Sequence, residues 1–126
     1  MEQIRVIMLE PSKRARITMI DGELKSMQAI VGGSIEVVYP FLDPVGIVCN
    51  ESGKLERLPL NRGLRTPDGE MYDILAGTAF IIGLDDEGFT SLSDAQAKKY
   101  YNMFKYPEFF VRHGPKIIGF YTDEPT

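Results

Sequence analysis

Apolar and polar positions along this chain alternate in short runs broken by turn chemistry, and in two stretches the period lengthens to that of a helix. Residues 3 to 10 are apolar on both sides of the alternation, as suits a central strand. Pro11-Ser12-Lys13 breaks that run, and Arg14 to Ile20 resumes the alternation as a second strand paired to the first. From Asp21 the period changes. Leu24, Met27, Ile30 and Val31 share one face of a predicted helix over 23–31, with Asp21 as its cap and Gly32-Gly33 as its end. Ile35 to Tyr39 and Val45 to Asn50 are rich in β-branched residues and flank a wide connection bounded by Pro40 and Pro44, which predicts an antiparallel hairpin. Asn50-Glu51-Ser52-Gly53 is type I turn chemistry.

Residues 58 to 65 show neither period and read as an ordered loop, with room for one helical turn. Thr66-Pro67-Asp68-Gly69 is a turn signal, followed by a short strand over 71–75. Gly77 to Leu84 reads as a buried strand whose glycines mark close backbone approach or a bulge. Asp85-Asp86-Glu87-Gly88 then makes a solvated turn. Ser93-Asp94-Ala95-Gln96 is a capping box opening a helix to about Tyr106, with Ala97, Tyr100, Tyr101 and Phe104 as its apolar stripe and Pro107 as its stop. Glu108 to Arg112 is ambiguous between states, and Lys116 to Tyr121 reads as a last strand. This order predicts an α+β fold in which a mainly antiparallel sheet is covered by two helices. Residues 1–121 form its single domain, and the tail 122–126 is expected to fray.

Composition narrows the function classes. At 126 residues the chain can bury a core without staples, and its 44% hydrophobic and 25% charged content is that of a globular domain. One cysteine and one histidine exclude both an intrachain disulfide and a Cys/His zinc cage. No apolar run reaches the length of a membrane span, and residues 1 to 5 lack the flank of a signal peptide, so a reducing cytoplasm is the expected setting. A formal charge of -4 gives phosphate backbones no general attraction, so direct nucleic-acid binding is not expected, while homo-oligomerisation stays open.

Candidate chemistry is sparse. His113 precedes Gly114-Pro115 and reads as a surface residue, and Cys49 sits in an apolar strand, where a thiol acts as a small hydrophobe. The run Asp85-Asp86-Glu87 lacks the spaced ligands of a cation loop, so no metal, cofactor or catalytic group is implied. Asn50, Glu51, Asn61 and Arg62 stand out. Arg62 offers a planar fork suited to carboxylate or phosphate, and the two amides offer donors and acceptors, so the four could read a small anionic ligand. The competing reading makes Asn50 and Glu51 turn residues and Asn61 a loop cap, with Arg62 bridging an acid such as Glu51 or Asp73.

The segments VGGSIEVVYPF, VCNESGKLERLPLNRGLR and ILAGTAFIIG, in that order, resemble domain-of-unknown-function family 3846 over residues 3 to about 112. The matching positions are Gly32, Gly33, Glu36, Cys49, Asn50, Glu51, Gly53, Leu58, Pro59, Asn61, Arg62, Asp73, Gly77 and Phe80; Ala79 departs from the pattern, which has a bulkier aromatic there. The resemblance implies a small protein of phages, plasmids and conjugative elements, mostly of Firmicutes, and brings no activity with it. On it rests the expectation of a noncatalytic binding module of a mobile genetic element, cytoplasmic in its bacterial host. Such a module would act in host interaction or counter-defence, binding a protein or a small anionic ligand. Two alternatives are an enzyme that acts on a nucleotide-like anion through Arg62 and Glu51, and a nucleic-acid mimic, for which 18 acids against 14 bases is a mild bias.

Overall fold

The structure, a computed structural model, describes residues 2–121, so the expected fraying of 122–126 lies outside the described residues. Its centre is an antiparallel sheet of six strands: β1 (Gln3–Leu9), β2 (Arg16–Asp21), β3 (Ile35–Val38), β4 (Val45–Asn50), β7 (Ala79–Asp85) and β8 (Gly88–Thr90), in the order β2-β1-β7-β4-β3 with β8 also paired to β7. β1, β4 and β7 are inner strands, and their apolar residues on both faces are buried, as the double-sided run of residues 3 to 10 predicts for β1.

The two faces are covered differently. Helix α1 (Leu24–Val31) packs Met27 and Val31 onto Val6, Met8, Val48, Phe80 and Ile82 on one side. On the other, helix α2 (Asp94–Phe104) lays Ala97, Tyr100 and Phe104 over Ile7, Leu9, Ile47 and Ile81. A hairpin of β5 (Leu60–Arg65) and β6 (Met71–Ala76) shares this second face and adds Leu64 and Leu75 to its core. A last hairpin, β9 (Glu108–His113) and β10 (Lys116–Tyr121), packs beside β5. The α+β reading stands. The helices lie on opposite faces, which a one-dimensional pattern does not distinguish.

Several expectations change. Residues 60–65 form a strand and not a loop: Asn61 and Arg62 are fully buried polar residues, and register shifts between Leu60 and Gly63 and between Leu64 and Arg65 break the alternation that would have marked it. The ambiguous 108–112 stretch is β9, and β8 extends the region beyond the Asp85–Gly88 turn into a hairpin. Asp21 does not cap α1. Glu23 holds the N-cap position, and the Asp21 Oδ1 accepts from its N–H at 2.9 Å one step earlier. The helix ends as expected at Gly32, which takes a left-handed φ of 81°.

The capping box of α2 is complete. Ser93 Oγ accepts from the Gln96 N–H at 3.1 Å, and Gln96 Oε1 accepts from the Ser93 N–H at 2.9 Å. Ser93→Ala is expected to cost about 1 kcal/mol, read as a lower denaturant midpoint at unchanged slope. Farther along α2, Tyr100 donates to Asp43, which also accepts from Lys99 at 2.9 Å, tying the β3–β4 connection to the helix.

Candidate functional site

The four polar residues singled out above separate into two places. At the end of β4, Asn50 is 5% exposed; its Nδ2 donates to the Val31 carbonyl at 3.1 Å and its Oδ1 accepts from the Ser52 N–H at 2.7 Å. One side chain thus satisfies an orphan carbonyl at the end of α1 and closes the turn after β4. Glu51 is exposed, and its N–H donates to Ser34 at 2.9 Å. The turn then packs against β6 so closely that a Cβ at Gly53 would lie 2.6 Å from the Ala76 carbonyl oxygen.

Asn61 and Arg62 face elsewhere. Asn61 Nδ2 donates to the carbonyls of Leu9 and Gly77 at 2.9 and 2.8 Å, joining the ends of β1 and the β6–β7 turn. Arg62, 1% exposed, donates through Nε to Phe104 at 2.7 Å, through Nη1 to Glu10 at 3.2 Å and Asn61 Oδ1 at 2.7 Å, and through Nη2 to Lys13 at 2.7 Å. The guanidinium therefore serves main-chain carbonyls from two parts of the chain, the turn after β1 and the C-terminus of α2, where a positive charge also complements the helix dipole. It bridges neither Glu51 nor Asp73. Burial pulls its pKa down to about 10, so it stays charged at neutral pH.

Around Asn50 and Glu51 a cleft of about 300 Å³ opens at the β3 edge of the sheet, and neither Asn61 nor Arg62 lines it. β3 contributes Glu36 and Val38, β4 and its turn contribute Cys49 to Leu55, and β6 contributes Asp73 to Ala76. Glu36 and Cys49 are cross-strand partners, and the Lys54 ammonium is ion-paired to Asp73 across the mouth. Asp73 Oδ1 also accepts from the Ile74 N–H at 2.9 Å, which fixes the carboxylate. With Asp73 answered by Lys54, the charge left at the rim is that of Glu36 and Glu51.

The electrostatics of the cleft argue against a nucleophile. Burial, with help from the carboxylates of Glu36 and Asp73, pushes the Cys49 thiol up to about 11, so it is protonated at neutral pH. His113 is exposed on the last hairpin and does not line this cleft. Among the described residues no group of three or more His, Cys, Asp or Glu is placed to hold a metal ion. Nor is any helix among them long and apolar enough to cross a membrane. What the cleft can do is hold a small molecule: an apolar floor of Val38, Leu75 and Ala76 lies under acceptor oxygens presented from three elements.

Sequence reasoning found Asn50 and Glu51 through their turn chemistry but gave Glu36, Lys54 and Asp73 no joint role. The signal available was that Glu36 and Cys49 lie at matching distances from the hairpin connection; the approach of β6 had none. Ala79, where the chain departs from the resemblance pattern, is fully buried in the core on the α2 face. No curated protein and no solved structure matches the chain. The family model described as Domain of unknown function (DUF3846) matches residues 4–105, and the chain belongs to that family.

Proposed function

We propose that this protein is a noncatalytic binding module of a mobile genetic element, such as a phage or conjugative element. It works in the cytoplasm of a bacterial host in host interaction or counter-defence, and captures a small ligand in the cleft between β3, β4 and β6. The observation that carries the reading is the convergence of Glu36, Glu51 and the Lys54–Asp73 pair, from three separate elements, on one apolar-floored cavity of about 300 Å³. Function-bearing pockets combine an apolar lining with a few fixed polar groups in this way. Three carboxylates against one ammonium favour a ligand rich in hydrogen-bond donors or carrying a positive charge. An anionic ligand would need a cation beyond Lys54, which is paired to Asp73, and Arg62, the residue suited to it, has its donors on main-chain carbonyls and Asn61. The same placement leaves the nucleotide-enzyme alternative without its arginine beside Glu51.

Native mass spectrometry of the full chain recovered from bacterial cells tests this. The expected result is a small-molecule adduct on the wild type that is lost in the Glu36→Gln/Glu51→Gln variant, whose melting temperature stays unchanged because both residues are exposed. A bare wild-type protein, or an adduct retained by the variant, would remove the cleft as a binding site.

A further inference from the structure

A second cavity, of about 410 Å³, opens beside the C-terminal end of α2 and shares no lining residue with the acidic cleft. Four elements supply its walls. The β3–β4 connection brings Phe41, the last turn of α2 brings Met103 and Phe104, the β5–β6 hairpin brings Leu64 and Arg65, and the end of β10 brings Tyr121. Its volume falls in the range of small-molecule sites, whereas packing alone leaves few voids larger than a water molecule. The loop side of the wall is held in place. Phe41 lies 4.4 Å from the Tyr100 ring and 6.0 Å, edge to face, from Phe104, and Asp43 fastens the same connection to α2 through Tyr100 and Lys99.

The charge on the wall is answered from within the chain. Arg65 is ion-paired to Glu108, whose side chain is fully buried and also accepts from the Gly63 N–H at 2.8 Å. Tyr121 Oη accepts from Arg65 Nη1 at 2.5 Å, and its ring centroid is 5.2 Å from the guanidinium carbon. With Arg65 balanced by Glu108, the cavity offers neither an anion nor a cation compensation for the water it would shed on entering. What it does offer is aromatic surface, a thioether and one hydroxyl proton. Tyr121 keeps that proton to donate, because burial and the Glu108 charge raise its pKa.

We propose that this cavity is a second ligand site, for an uncharged aromatic small molecule of one or two rings that carries a carbonyl or hydroxyl oxygen. The rings of Phe41 and Phe104 meet an aromatic guest edge to face or offset, and the Met103 thioether packs against its edge. The Tyr121 hydroxyl donates to the guest's oxygen. A volume near the lower end of ligand pockets sets the size at one or two rings. The site does not depend on the acidic cleft, whose surplus carboxylates favour a ligand of the opposite character.

Titration of the full chain with prodan, an uncharged naphthyl ketone whose fluorescence moves to the blue in apolar surroundings, is the test. The expected result is a saturable blue shift with one probe bound per chain and a Kd below about 100 μM. Met103 is 51% exposed in the last turn of α2, where a cation suits the helix dipole, so Met103→Lys should keep the fold. It should weaken binding about tenfold or more by bringing an unpaired charge to the wall. Tyr121→Phe should weaken prodan binding roughly threefold and leave binding of naphthalene, which has no oxygen, unchanged. Glu36→Gln/Glu51→Gln should bind prodan as the wild type does. Absence of saturable binding, equal affinity in Met103→Lys, a Tyr121→Phe variant that treats the two probes alike, or loss of binding in the Glu36→Gln/Glu51→Gln variant would overturn the proposal. Should Met103→Lys fail to fold, methyl NMR of the wild type decides. Shifts on prodan addition centred on Leu64 and Met103 support the site, and shifts centred elsewhere overturn it.

Discussion

Arg62→Ala is expected to destabilise the fold by about 3–5 kcal/mol, the range seen when one member of a buried charged network is removed. The guanidinium donates to the Lys13 and Phe104 carbonyls and shares the Glu10 carbonyl with the Lys13 N–H, and it also holds Asn61 in the orientation that joins Leu9 and Gly77. Removing it strands the buried Phe104 carbonyl and the Asn61 Oδ1, each costing about 1–3 kcal/mol, and loosens the part-buried ties to Glu10 and Lys13, with partial relief as water enters the space left behind. Arg62→Lys should recover only part of the loss. An ammonium on a flexible stem keeps the charge but cannot meet acceptors spread around a planar fork. Urea unfolding at neutral pH measures both, and a loss under about 1 kcal/mol for the alanine variant would show that the network is not holding β1, β5 and α2 together.

Phe104→Ala should cost about 3–5 kcal/mol as well, by a different route. Phe104 is 9% exposed at the end of α2, sits in the core with Leu64 and Tyr100, and meets Phe41 edge to face at a centroid distance of 6.0 Å. Truncation leaves a cavity beneath α2, where the surrounding strands are too rigid to collapse fully. Because the Phe104 carbonyl is also an Arg62 acceptor, the two substitutions disturb one neighbourhood and the double variant should lose less than the sum of the singles. A thermal melt unchanged by Phe104→Ala would mean that the helix is held by its polar ties to Asp43 and Arg5 instead.

Local chemistry explains why some of the fold could be read directly. The capping box at Ser93 needs only residues three apart, and the Gly32 end of α1 only one residue tolerant of a left-handed φ. The β3–β4 hairpin follows from two β-branched runs and the prolines between them. β5 could not be read in this way. Its central residues are an asparagine and an arginine, which in an unfolded segment mark a loop, and they are buried because carbonyls about 50 residues away in the sequence accept their donors. Strand β9 hid for a related reason: its first residue, Glu108, is a buried glutamate held by Arg65 and the Gly63 N–H.

By itself, then, the sequence determined the antiparallel α+β class, the capping box that opens α2, the Gly32 end of α1, the double-sided burial of β1 and the turn that carries Asn50 and Glu51. All of these rest on the periods of 2 and 3.6 and on the few backbone conformations that glycine, proline and capping residues permit. Tertiary structure alone decided the strand order, the placement of the helices on opposite faces, the union of Glu36, Glu51, Lys54 and Asp73 in one cleft, and the conversion of Arg62 from a candidate ligand contact into an internal brace. The physical reason is one of range. Periodicity shows which way a side chain points within its own element, whereas the partner of a buried charge is set by whichever distant backbone group the packing brings within about 3 Å of it.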